Sequence, residues 1–382
     1  MKPSSSTNRH SPVRTQRLDA DGSDILSQGA FQKRIAHERK RSERSRKPFL
    51  LLLVDSGASL QNGQNEELLR KVLYALCGSI RETDAIGWYA DRVVGGVMFT
   101  DMVQQNDVSI SDTMMKRVHE TLQSNLEEER VRQLKLSVHL FPDDWDHDGP
   151  GRPSNPTLYP DLAARDDSQK NLHTVKRAMD IFGSSLALMA LAPVLALIAL
   201  AIKLTSNGPV FFRQKRVGQH GKCFTFLKFR SMYVNNDERE HKEYVQKLIA
   251  GRAAPQDSGD AGPGVFKLTN DRRVTLVGRF LRRSSLDELP QFFNVLRGDM
   301  SLVGPRPAIP YEVEAYDIWH RRRVLEAKPG ITGLWQVNGR SRVKFDDMVR
   351  LDLQYARNWT PWMDIKILLR TPGAVVLGEG AH

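Results

Sequence analysis

Cysteine is nearly absent. Cys77 and Cys223 are the two in 382 residues, far apart and outside any C-x-x-C or Cys/His spacing, which argues against a disulfide framework and a zinc site and suits a reducing compartment. The histidines, His173, His220 and His320 among them, show no metal-ligand spacing either. Residues 1–47 are polar and basic and lack the apolar core of a secretory leader, so no signal peptide is expected. No recognition-helix or RNP-type pattern occurs, and a nucleic-acid partner is not expected.

What the chain has in excess is positive charge. Its net charge is +11 and its pI about 9.6, which predicts an anionic partner, either lipid or a phosphorylated substrate. It also has one long apolar run, Ile181 to Ile202, whose 22 residues match the roughly 20 needed to cross a bilayer. Lys176 and Arg177 precede it, and Lys203, Arg213, Lys215 and Arg216 follow. Basic flanks at both ends do not suit a simple span, for which charge asymmetry is expected. Pro193, near the middle, predicts a break or sharp bend. A re-entrant hairpin would keep both flanks beside anionic lipid headgroups, with Asp180 near the headgroups and paired to Lys176 or Arg177. A kinked single span and a buried core helix are the alternatives.

Residues 1–47, rich in Ser, Arg and Lys, read as a disordered basic tail, with FQKRIAHERKRSERSRK as a candidate surface helix. From Pro48 a strand run FLLLLVD, a helical EELLRKVLYALCGSI, a hairpin-like WYADRVVGGVMF, a second helix and the strand LKLSVHLF alternate as in an α/β domain over 48–147. A Pro-, Asp- and Gly-rich linker over 148–172 leads to a second domain, 173–382, with its membrane helix at 178–204.

The chemistry concentrates between Leu281 and Pro307, LRRSSLDELPQFFNVLRGDMSLVGPRP. Adjacent acids, Asp287 and Glu288, lie among Arg279, Arg282, Arg283, Arg297 and Arg306. Guanidiniums match phosphate oxygens, and Mg²⁺ takes one or two carboxylates together with substrate phosphates. A carboxylate there can also attack phosphorus. Against this, Ser285 and Glu288 fit an S-x-x-E capping box, although Pro290 would then sit beyond the first turn. A helix starting nearer Leu289 leaves the acids on the loop that enters it.

From His173 onward the chain resembles the bacterial sugar transferase family, the monotopic polyprenol-phosphate phosphoglycosyl transferases. The blocks that carry the resemblance are KRAMDIFGSSLALMALAPVLALIALAIKL, SNGPVFFRQKRVGQHGKCFTFLKFRSM, LDELP, GPRP and KPGITGLWQVNGR. It implies a re-entrant helix with Lys176, Arg177 and Asp180 at its start and Pro193 at its break, Ala192 standing where serine is common. It also implies a catalytic pair at Asp287 and Glu288, both candidate Mg²⁺ ligands (Mn²⁺ as a substitute), with Glu288 either helping to hold the metal or assisting proton handling. Lys228, Arg230, Arg282, Arg283, Arg306 and Arg340 are the expected substrate and phosphate contacts, and Lys328 and Trp335 stand at family positions. The implied reaction moves a phosphosugar from a nucleoside (uridine) diphosphate sugar to undecaprenyl phosphate, through an aspartyl-phosphosugar intermediate. The implied place is the cytoplasmic face of the bacterial inner membrane, in exopolysaccharide, capsule or O-antigen assembly.

In the last part, Trp359 and Trp362 are expected at an interface, and Asp346, Asp347, Asp352 and Asp364 on solvated faces paired with Arg350 or Arg357.

Residues 48–147 resemble a degenerate GGDEF or class III nucleotide-cyclase domain. Asp55 matches the first metal-binding aspartate, but Ala90, Asp91, Arg92, Val93 and Val94 replace the signature, and Gly95 and Gly96 lie beyond it as close-packing points. A regulatory, dimerising or structural module is expected, compatible with a homodimer. The expected fold is therefore α/β throughout: a monotopic membrane protein with a re-entrant helix hairpin and a mixed α/β catalytic domain, preceded by a cyclase-like α/β domain. The rival reading is a membrane-anchored nucleotide-sensing scaffold without transferase activity.

Overall fold

The computed structural model describes residues 25–56, 62–100, 107–142, 155–233, 239–252, 273–339 and 343–376. The chain divides into two units, residues 1–142 with 157–161, and residues 143–156 with 162–382.

The first unit runs α1 (Gln28–Ser45), β1 (Phe49–Asp55), α2 (Asn62–Cys77), β2 (Ala85–Ala90), β3 (Val94–Phe99), α3 (Asp107–Asn125), α4 (Glu128–Gln133) and β4 (Lys135–Phe141). Its strands form an antiparallel sheet in the order β2-β3-β1-β4. The unbroken apolar run of β1 has a simple cause: both of its faces are covered. Leu50, Leu52 and Val54 pack with Leu69, Val72 and Leu73 of α2 and Val118 and Leu122 of α3. On the other face Phe31 and Ile35 of α1 are fully buried. Gly95 and Gly96 are the close-packing points expected: a side-chain carbon would meet Leu73 at 2.8 Å from the first and the Phe31 ring at 2.5 Å from the second.

Composition predicts disorder across 1–47, and residues 1–24 lie outside the described part. From Gln28 to Ser45 the chain is helical, as the candidate helix FQKRIAHERKRSERSRK has it, but one face of that helix is buried in protein. Phe31, Ile35, Arg39 and Ser42 recur at helical spacing and form a buried stripe that the charged composition conceals. Arg39 has no exposed surface and grips Asp161 with both terminal nitrogens at 2.8 Å, the planar fork meeting a carboxylate. The linker expected over 148–172 is likewise helical in its second half, from Pro160.

The second unit continues with α5 (Pro160–Ser168), which begins at the division, then α6 (Lys170–Thr205), β5 (Phe211–Val217), β6 (Cys223–Phe229), α7 (Arg239–Ile249), α8 (Leu276–Arg283), a 3₁₀ turn at Leu286–Glu288 and α9 (Gln291–Arg297). β7 (Ser301–Val303), α10 (Pro310–Glu314), α11 (Ile318–Glu326), β8 (Gly330–Thr332), α12 (Leu334–Asn338), α13 (Phe345–Asn358) and α14 (Pro361–Val376) complete it. β5 and β6 form an antiparallel hairpin, while β7 and β8 pair in parallel.

α6 is a single helix of 36 residues with Pro193 inside it, so the proline does not end the helix. Its apolar window has a mean hydropathy of 2.6 and is only 11% buried. It is thus the one helix among the described residues long and apolar enough to cross a membrane, and most of its apolar surface faces away from protein. Both of its ends nevertheless pack on the second unit. Near the start, the Asp180 carboxylate accepts from Ser301 Oγ and Leu302 N at 2.9 Å, and Arg177 donates to the carbonyls of Val295 and Leu296. Near the end, Ile198 and Ile202 are buried with Phe229 and Leu281.

These contacts correct the expectation for the first turn of the membrane segment. Asp180 is 4% exposed and pairs with β7 rather than with Lys176 or Arg177 beside headgroups. Lys176 reaches Asp364 of α14 at 2.6 Å, with Tyr355 Oη and the Val303 carbonyl at 3.1 Å. Asp364 and Asp352 are buried, not solvated. Asp347 does pair with Arg350, at 2.9 Å. Trp359 is buried against His173 and only Trp362 is exposed.

Candidate active site

Asp287 and Glu288 sit in the 3₁₀ turn that precedes α9. The capping box does not form: Ser285 is in the left-handed region at φ 56° and its side chain caps nothing. Such a backbone is uncommon for a residue with a side chain and costs of order 1–3 kcal/mol. Here it turns the chain sharply from α8 into the acidic turn. α8 is itself anchored closely to the β6 exit, because Gly278 lies where a side-chain carbon would fall 2.0 Å from the Ser231 carbonyl oxygen.

Asn294 of α9 ties this turn to β6. Its Oδ1 accepts from Leu227 N at 3.1 Å and its Nδ2 donates to the Thr225 carbonyl at 2.7 Å. That register brings Lys228 to the two acids: its Nζ lies 2.8 Å from Glu288 Oε1 and 3.8 Å from Asp287 Oδ2.

The two carboxyls are driven apart in acidity. Burial pushes Asp287 up, and the adjacent Glu288 charge adds to this against the pull of Lys228 and Arg282. Burial also acts to raise Glu288, but the Lys228 charge and hydrogen bond and the Arg306 charge outweigh it and hold that group low. Asp287 is 6% exposed, whereas about a third of the Glu288 side chain, 35%, reaches solvent. Asp287 is thus a buried carboxylate met by the Lys228 ammonium only at 3.8 Å, a weaker pairing than the 2.8 Å contact of Glu288.

The expected contacts separate into three groups. Lys228 touches the carboxylates, and Arg282 and Arg306 act on them electrostatically. Arg282 is steadied by Ser231 Oγ at 3.2 Å and Met232 Sδ at 3.7 Å; Arg306 is exposed on the turn after β7. Arg230 lies elsewhere: it donates to Ser206 O at 2.8 Å and Ser206 Oγ at 2.7 Å, where a cation favours the helix C-terminus of α6. Arg283 is exposed on α8. Arg340 lies outside the described residues.

Gln291, Arg216 and Arg323 were not expected here. Arg216 is buried over the Phe226 ring at 5.0 Å and donates to the Pro307 carbonyl at 2.8 Å. Burial first, and Arg306 next, pull it down to about 10. Arg323 is joined to Asp352 at 2.7 Å; burial pushes Asp352 up to about 6 even against that cation. Strand alternation in RQKRV gives no signal for Arg216, since a neighbour of the buried Val217 would be expected on the opposite face. None marks Arg323 within a run of three arginines.

Two adjacent carboxylates, one partly open to solvent, supply the oxygen donors that Mg²⁺ uses together with substrate phosphates. Among the described residues no group of three or more His, Cys, Asp or Glu forms a cage of protein ligands alone.

The bacterial sugar transferase family matches residues 171–378, more than half of the chain, and the chain belongs to that family. It is 44% identical over 218 residues to the undecaprenyl-phosphate galactose phosphotransferase of Salmonella typhimurium, covering 56% of this chain and 43% of that one. It is 43% identical over 209 residues to the UDP-glucose:undecaprenyl-phosphate glucose-1-phosphate transferase of Escherichia coli, covering 52% and 39%. The chain thus spans less than half the length of these curated relatives. A diguanylate-cyclase-type (DGC) protein structure from Thermotoga maritima matches at 14% identity and a TM-score of 0.26, over 31% of this chain and 84% of that one, too distant a likeness to carry an argument.

Proposed function

We propose that the chain transfers a phosphosugar from a nucleoside diphosphate sugar, with uridine as the nucleoside and glucose or galactose as the sugar, to undecaprenyl phosphate. The observation that carries this reading is the buried Asp287 oxygen beside Glu288 and Lys228, in a chain whose long apolar helix is exposed.

In the first half-reaction an Asp287 oxygen forms a bond to the β-phosphorus. The bond from that phosphorus to the bridging oxygen breaks, and the nucleoside monophosphate leaves with the oxygen and its electron pair. In the second, a phosphate oxygen of the polyprenyl phosphate attacks the same phosphorus and Asp287 departs as a free carboxylate. Lys228, Arg282 and Arg306 neutralise charge spread over the phosphoryl oxygens, which is where catalysis of this transfer resides. Glu288 and Asp287 are the residues that would hold Mg²⁺, or Mn²⁺ in its place, which supplies further neutralisation of the donor diphosphate.

The second unit lies on the cytoplasmic face of the inner membrane. The anchoring of both ends of α6 to one unit supports a re-entrant rather than crossing path, since a straight 36-residue helix would extend about 54 Å. Exposed Leu276 and Phe280 beside exposed Arg279 and Arg283 on α8 suit apolar and anionic layers of the same surface. The first unit is read as a degenerate cyclase-like module without cyclase activity.

Detergent-solubilised protein with Mg²⁺, a UDP-sugar and polyprenyl phosphate should release UMP, and Asp287→Asn should abolish both release and any phosphosugar adduct on the protein. Failure of every sugar in a panel to release UMP would leave the scaffold reading.

A further inference from the structure

Beyond β7, residues 305–307 form a turn with proline on either side of Arg306. Neither proline has an N–H to give, so this backbone can be fixed at those positions only through its carbonyls. All three carbonyls are taken: Pro305 accepts from Gly330 N at 2.8 Å, Arg306 from Arg323 Nη2 at 3.2 Å, and Pro307 from Arg216 Nη1 at 2.8 Å.

Two of the three donors are buried guanidiniums. Arg323 and Arg216 are 3% and 5% exposed. Arg323 is held in turn by Asp352 at 2.7 Å and by Tyr316 Oη at 3.3 Å; Arg216 is braced by Gln214 Oε1 at 3.0 Å. Placing two cations beneath a turn that presents a third is unfavourable for folding alone, because like charges in a poorly solvated region repel. The arrangement makes sense if the turn must present Arg306 in one fixed position.

We propose that Arg323, with Asp352 as its counter-ion, and Arg216 are positioning residues that hold the 305–307 turn so that the Arg306 guanidinium meets the diphosphate of the donor. This rests on the phosphosugar-transfer reading for the identity of the anion. A backbone held still fixes where the Arg306 side chain leaves the turn, so less freedom is lost when its guanidinium engages phosphate, and affinity comes from preorganisation.

The probe is UDP with Mg²⁺, and the readout is its dissociation constant by calorimetry on the solubilised full chain. Arg306→Ala should weaken binding about ten- to a hundredfold, the range of a charge-assisted hydrogen bond. Arg323→Lys keeps the charge but not the fork and should weaken binding about fivefold or more. In the double variant the affinity should equal that of Arg306→Ala alone, since Arg323 acts through Arg306. Multiplying effects, an unchanged constant in a folded Arg323→Lys protein, or no UDP binding by the unaltered chain would each overturn the proposal. Should Arg323→Lys fail to fold, Tyr316→Phe removes one brace and keeps the ring; it should weaken UDP binding in the Arg306 background and not in Arg306→Ala, and any other pattern counts against the proposal. The two readings separate in the unaltered chain: no UMP release with any UDP-sugar, while UDP binding and its dependence on Arg306 and Arg323 persist, removes the reaction and leaves the positioning role.

Discussion

Lys176 Nζ and Asp364 Oδ2 lie 2.6 Å apart, with side chains 13% and 4% exposed, so a residue near the start of α6 and one on α14, the last helix among the described residues, share a buried charge pair. Tyr355 Oη donates to the other Asp364 oxygen at 2.7 Å. Lys176→Met should therefore strand a buried carboxylate and cost about 3–5 kcal/mol, read as a loss of stability in denaturant titration. Lys176→Met combined with Asp364→Leu should recover much of it. A single variant as stable as the unaltered protein would remove the clamp.

Asp287 and Glu288 should respond oppositely to neutralisation. A carboxyl whose folded pKa is raised is less stable charged in the fold than in the unfolded chain, so Asp287→Asn should leave stability unchanged or higher. Glu288 is held low, its charged form is favoured by folding, and Glu288→Gln should destabilise. Thermal unfolding at pH 7 checks both signs; a marked loss in Asp287→Asn would assign that residue a structural role.

The rate of nucleoside monophosphate release should fall as pH drops through the Asp287 pKa, which stands above the ordinary aspartate value of about 3.9. Lys228→Gln removes the strongest cationic pull on that group, so it becomes harder to ionise and the acid limb should move to higher pH. A limb that stays in place in Lys228→Gln would show that another group limits the rate.

Labelling reports the path of α6. Leu172 and Leu204 are exposed near its two ends. In a background with Cys77→Ser and Cys223→Ser, Leu172→Cys and Leu204→Cys should both react with an impermeant maleimide from one side of sealed vesicles. Reaction from opposite sides would mean that the helix crosses.

The apolar length of 181–202, the alternation around β1 and the crowding of arginines about Asp287 are local properties, and each was readable along the chain because it depends on neighbours a few residues apart. Lys228 and Arg306 are named because their blocks resemble the family's. α1 was concealed, since Arg39 counts as charge until Asp161 is seen beside it. Arg230 reads as a phosphate contact in KFRSM, yet its partner, Ser206, lies 24 residues away. Asp352 and Asp364 look solvated on an amphipathic helix, and become buried only because Arg323 and Lys176 approach from other elements.

Residue order alone thus carried the family resemblance, the long apolar helix and the adjacent acidic pair among arginines, for these lie in short windows of sequence. Packing chose which charges gather at the acidic turn and which are buried in the scaffold. Burial, which raises or lowers a carboxyl and makes a guanidinium a brace, arises from groups that different elements bring together, 60 residues apart for Lys228 and Glu288 and 91 for Arg216 and Pro307.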